Sequence, residues 1–160
     1  VKPAKAGRYE NHVTGGSTMA DRVFHQIYLH LVWHAKDDQP VLIPRIEKLV
    51  HEAIRDRCSR MHGVTFHGVG GTETHVHVGI DITPAVLISD AVSKLKGGTS
   101  FDINSLVGEK TLEWQRGYGV VSFSKRDLAW IIHYIADQKA HHDQETTADT
   151  LEHIHNEFDA

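Results

Sequence analysis

An α+β fold with an antiparallel sheet is predicted by three features of this 160-residue chain. Two segments, residues 24–34 and 74–82, alternate apolar and polar side chains with the two-residue period of strands. Two others, running from Ile46 to Arg57 and from Leu128 to Ile135, repeat apolar residues at helical spacing. Breaks carrying Pro or Gly separate these segments, as connections should. Hydrophobic residues make up 40% and charged residues 24%, which suits one compact domain with its own core.

Along residues 24–34, Ile27, Leu29, Leu31 and Trp33 share one side, while Gln26, Tyr28, His30 and His34 share the other. The result is a first strand with one polar face. Pro40 and Pro44 bracket a connection, and Ile46, Leu49, Val50, Ala53, Ile54 and Arg57 then follow a helix to about Met61. His62-Gly63 ends it. Residues 64–69 form a second strand, and Gly70-Gly71 a hairpin turn into the third. There Val76, Val78, Ile80 and Ile82 alternate with His75, His77, Gly79 and Asp81.

Thr83 as cap and Pro84 at the first helical position open a second helix, which reaches about Leu95. A shorter helix occupies residues 101–107, and residues 114–122 supply a turn and a short fourth strand. The order β-α-β-β-α-β is the split βαβ arrangement of ferredoxin-like and RNA-recognition folds, with helices on one face of the sheet and the other face open. A terminal helix follows at residues 124–142, where Ser124 and Asp127 have capping-box spacing and Leu128, Ile131, Ile132 and Ile135 form an apolar stripe. Tyr134 and Gln138, four apart, share a face beside that stripe.

Three units follow from this order: residues 1–20 as a flexible N-terminal extension, 21–145 as the domain, and 146–160 as an acidic tail. Met19 is a candidate natural start. Leu151, Ile154 and Phe158 give the tail mild amphipathy. Seventeen Lys and Arg against twenty-one Asp and Glu leave a formal charge of −4, which argues against an indiscriminate grip on duplex DNA. Cys58 is the single cysteine, so no intrachain disulfide forms and a reducing, cytoplasmic setting is expected. No apolar run approaches the roughly 20 residues that span a bilayer.

With the valines and isoleucines of the third strand facing the core, His75 and His77 project from its other side. Two imidazole nitrogens there can share one cation, and the Gln138 carboxamide oxygen can supply a third ligand. Taken alone, a His-x-His pair is more often a polar strand face, and a helix tyrosine more often a packed ring with its hydroxyl in water. His30, on the polar face of the first strand, can approach the same place or stay a surface residue. Asp81 is similarly placed.

His75-x-His77 on a strand, with Tyr134 and Gln138 on a late helix, resembles the single-tyrosine HUH transposases of the smallest insertion sequences, including their repeat-associated relatives. The segments LVWHAKDDQPVL, KLKGGTS, WQRGYGVVSFS and YIADQKAHH occur in that family's order and spacing, across residues 24–142. The resemblance implies that His75, His77 and Gln138 bind Mg²⁺ or Mn²⁺ and that Tyr134 is the nucleophile. It implies cutting and rejoining of single-stranded DNA with hairpin ends, through a 5′-phosphotyrosine, by a homodimer with no small-molecule cofactor. Lys94, Lys96, Arg116, Lys125 and Arg126 become the candidates for phosphate contacts, and Trp114 and Tyr118 for base stacking. The net acidity and acidic tail depart from the family's pattern. Two rivals stand beside it: a non-cleaving single-stranded nucleic-acid-binding module, which should carry aromatics on its central strands, and a domesticated relative that keeps only the fold.

Overall fold

The structure is a computed structural model that describes residues 23–154. The expected N-terminal extension, residues 1–20, and Phe158 of the tail lie outside the described residues. The elements run β1 (Tyr28–His34), α1 (Pro44–Arg60), β2 (Val64–Gly71), β3 (His75–Ile82), α2 (Ile88–Val107), β4 (Gly119–Phe123), α3 (Leu128–Ala136), α4 (Gln138–Asp143) and α5 (Asp149–Glu152). Single 3₁₀ turns precede α1 at Lys36–Asp38 and α3 at Lys125–Asp127. The four strands are ordered β2-β3-β1-β4 and all pair antiparallel. The expected α+β sandwich is therefore present.

Alternation decides which side chains meet. Leu29, Leu31 and Trp33 of β1 and Val76, Val78 and Ile80 of β3 interlock with Ile46, Val50 and Ile54 of α1 and Val92, Leu95 and Ile103 of α2. This is the main core. α1 begins with Pro44 at its first turn, where the missing N–H costs nothing. Gly63, at φ 77°, turns the chain from the end of α1 into β2.

Four expectations need correction. α2 starts at Ile88, not at Pro84, and runs unbroken to Val107 through Gly97 and Gly98, merging the two expected helices. A Cβ on Gly98 would lie 2.0 Å from the Arg57 guanidinium, so glycine leaves room for the Arg57 side chain where it pairs with Asp102 at 2.7 Å. Gly70 and Gly71 belong to β2, and residues 72–74 make the hairpin tip.

The terminal helix is broken at Asp137 (φ −100°, ψ 21°) into α3 and α4. The Ser124 hydroxyl donates to the Asp127 carboxylate at 2.7 Å, while no side chain caps a backbone N–H there. The fourth correction concerns the sheet face expected to be open, which α3 and the segment through α5 cover. Ile131, Tyr134, Ile135 and Leu151 form a second, smaller core there. Gly70 makes that docking possible, because a Cβ on it would lie 1.8 Å from the Ile135 carbonyl oxygen. Among the described residues no helix is long and apolar enough to cross a membrane.

Candidate functional site

The site lies between the sheet and the C-terminal elements. His75 and His77 stand on the face of β3 opposite the main core, as their alternation predicts, and both are buried. Their inner nitrogens are held. Nδ1 of His75 lies 3.1 Å from the Thr72 hydroxyl and 2.9 Å from that of Thr74, and Nδ1 of His77 lies 2.9 Å from Nε2 of His30. Fixing one ring nitrogen orients the other, the arrangement that prepares imidazoles for a cation. Their Nε2 atoms are buried and have no hydrogen-bond partner.

Burial keeps the imidazoles uncharged. It pushes the pKa of His75 down to about 3, helped by His77 and His34 and opposed by Glu152. The same cause, with His77 adding to it, takes His30 to about 3, and burial also lowers His77. A neutral imidazole with a bare Nε2 is the form that ligates metal. His30 is thus a partner for His77, not a surface residue. Asp81 is engaged elsewhere, 2.7 Å from Nε2 of His67.

Tyr134 reaches this place from α3. Its ring meets His77 edge to face, with centroids 6.2 Å apart, and stacks on Trp130 at 5.6 Å and on His141 at 4.8 Å. Expected beside the apolar stripe, it is buried within the small core that the stripe makes. Its hydroxyl donates to Oε1 of Glu152 and accepts from the Ala148 N–H at 2.9 Å. Burial, and next the bond to Glu152, raise the phenol above its ordinary pKa, so at rest the hydrogen stays on Tyr134. Gln138 is fully buried at the start of α4. Its Nε2 donates to the Tyr134 carbonyl at 3.3 Å, and its Oε1 has no partner.

Two residues of the site lacked a sequence signal. Glu152 on α5 sets Oε2 3.3 Å from Nε2 of His77, 3.6 Å from Nε2 of His75 and 3.6 Å from Nε2 of His142. His75, His77, His142 and Glu152 offer ligand atoms that all lie within 4.8 Å of one another. Burial works against ionising Glu152, but His77 and the Tyr134 hydroxyl outweigh it and hold the carboxyl below its usual range. The unpartnered Nε2 atoms of His75 and His77, with His142 and the Glu152 carboxylate beside them, make a group that could hold a metal ion.

The expected phosphate contacts are placed unequally. Lys94, Arg116, Lys125 and Arg126 are exposed, and Arg126 lies 3.5 Å from Asp127. Lys96 instead donates to the carbonyls of Gln115, at 2.8 Å, and Gly117, so it ties α2 to the loop before β4. Trp114 packs edge-on against Trp33 at 6.0 Å and donates to the Thr99 hydroxyl at 3.1 Å. Tyr118 also packs against the main core. Neither ring is a free stacking surface.

The fold resembles that of solved structures: one described as a transposase from Deinococcus radiodurans is 21% identical, covers 85% of this chain and 99% of that one, and gives a TM-score of 0.59. A second, described as a REP-associated tyrosine transposase bound to a REP hairpin, is 12% identical, covers 91% of this chain and 76% of that one, and gives 0.53. At such identities the likeness is one of fold. The family model described as "Transposase IS200 like" matches residues 23–138, and the chain belongs to that family of DNA-processing enzymes. No curated protein matches it.

Proposed function

We propose that the protein cuts and rejoins single-stranded DNA with Tyr134 as nucleophile and a divalent cation, Mg²⁺ or Mn²⁺, held by His75, His77 and Gln138, to excise and insert a small insertion sequence. One observation carries the reading: two buried imidazoles with bare Nε2 atoms and a buried tyrosine, remote in sequence, meet on one sheet face. A cation at that place would offset charge on a non-bridging phosphate oxygen and orient the bond. The chain's own residues do the rest. Trp130 and His141 fix the Tyr134 ring, and the Ala148 N–H aims its hydroxyl.

The phenolic oxygen bonds phosphorus as the bond to the 3′ oxygen breaks, leaving a 5′-phosphotyrosine and a 3′-hydroxyl. The hydrogen that Tyr134 loses equals the one the 3′-hydroxyl gains, and Glu152 Oε1 is already in place to hold it. The covalent intermediate conserves the energy of the broken bond for rejoining. The hairpin substrate is supported by the relative described as bound to a REP hairpin. Lys94, Arg116, Lys125 and Arg126 are exposed for the backbone. The family resemblance makes a homodimer the working form, although Tyr134 and the histidines already meet within one chain.

The binding-module alternative fits less well. The central strands present imidazoles on this face, under a helix, where a stacking platform needs exposed aromatics. Incubation with Mn²⁺ and a labelled single-stranded hairpin should give a covalent protein–DNA adduct that is absent with Tyr134→Phe. A gel shift without an adduct would favour binding alone, and an equal adduct in the variant would remove Tyr134 from its role.

A further inference from the structure

We propose that Glu152 is itself a ligand of the cation, joining His75 and His77 through Oε2, with His142 beside it, while Oε1 holds the hydroxyl of the nucleophile. The inference rests on the proposed cation site and adds to it a carboxylate that the His-x-His and Gln138 pattern does not contain.

Distances favour ligation over simple hydrogen bonding. The separations of 3.3, 3.6 and 3.6 Å between Glu152 Oε2 and three imidazole nitrogens exceed the roughly 2.7–3.2 Å of an N–H···O bond. Ligand atoms about 2.1–2.2 Å from a shared ion stand about 3.0–3.6 Å from their neighbours in octahedral or tetrahedral geometry. The nitrogens of His75 and His77 are buried and unpartnered despite the carboxylate beside them. An ion between these two nitrogens and Glu152 Oε2 would satisfy all three at once.

The carboxylate is also positioned by packing. Leu151, one residue before it, is buried with Ile131, Tyr134 and Ile135, and the Leu151 N–H donates to the Ala148 carbonyl at 2.8 Å. β4 makes room for the segment, since a Cβ on Gly119 would lie 2.0 Å from the His153 carbonyl oxygen. One carboxylate then links ion and nucleophile. A set of imidazoles with one carboxylate suits Mn²⁺ better than Mg²⁺, whose preferred ligands are oxygens.

Titration of the full chain with Mn²⁺, followed by calorimetry and by the electron paramagnetic resonance of free Mn²⁺, tests this without DNA. Glu152→Gln, which keeps size and shape, should bind Mn²⁺ about tenfold more weakly or worse, and Mn²⁺ should raise its Tm less than that of the unaltered chain. Equal or tighter binding by Glu152→Gln overturns the proposal, since the carboxylate would then only fill the cation's place. If that happens while the unaltered chain binds Mn²⁺ and His77→Ala does not, the cation site itself stands. An unaltered chain that binds no Mn²⁺ ends both readings.

Discussion

On one face of the sheet, Leu29, Leu31, Trp33, Val76, Val78 and Ile80 mesh with the apolar sides of two long helices, of 17 and 20 residues. On the other, His30, His75 and His77 stand among Gly70, Gly79 and Gly119, and α3 with the C-terminal segment lies close against them. The first face fills space with large side chains, and the second clears space so that backbone can come close to imidazoles. Stability should therefore reside mainly in the first face and chemistry in the second. Substitutions can separate the two.

The largest effect on stability belongs to the first face. Ile54→Ala removes a side chain with no exposure from the main core and should cost about 2–5 kcal/mol, read by urea unfolding. Adduct formation per folded molecule should stay unchanged, and a matching loss of chemistry would erase the contrast.

Gly70→Ala should behave in the opposite sense. Its new Cβ would meet the Ile135 carbonyl at 1.8 Å, so α3 must shift, at about 1–3 kcal/mol. The adduct yield should fall by about tenfold or more, because a displacement on the order of 1 Å is costly to positioned chemistry. Full activity would mean that α3 need not lie against β2.

The smallest effect is one of pH, in the metal-free protein. His30 and His75 have folded pKa values near 3 against 6.5 unperturbed, so below pH 6.5 the unfolded chain takes up protons that the folded chain refuses. Their contribution is complete well above that value and is lost as pH falls toward 3. Between pH 7 and 6 each imidazole should remove about 0.7 kcal/mol of stability, seen as a falling Tm. A Tm that rises on acidification would show that the site histidines are charged when folded.

The contrast between the faces also explains what was legible beforehand. Period-two alternation in β1 and β3 and helical spacing in α1 are local, so the main core and the orientation of His75 and His77 could be read directly. Gly98 and Gly70 look like breaks locally but are close-approach sites, whose reason lies in Arg57 and Ile135, far off in the chain. The bend at Asp137 likewise has no Pro or Gly to announce it. Tyr134 and Gln138 were visible through the family pattern joined to their spacing. Glu152 and His142 were not, because a carboxylate in an acidic segment and a histidine among fourteen gain meaning only when Leu151 packs beside Tyr134.

The central claim is that one cation, two strand imidazoles and the Tyr134 hydroxyl share a single place on the sheet. A crystal soaked with Mn²⁺ and measured for anomalous scattering tests it most directly. The account predicts one strong peak within bonding distance of Nε2 of both His75 and His77, next to the Tyr134 hydroxyl. A peak bound elsewhere, or none at the histidine pair, would contradict it.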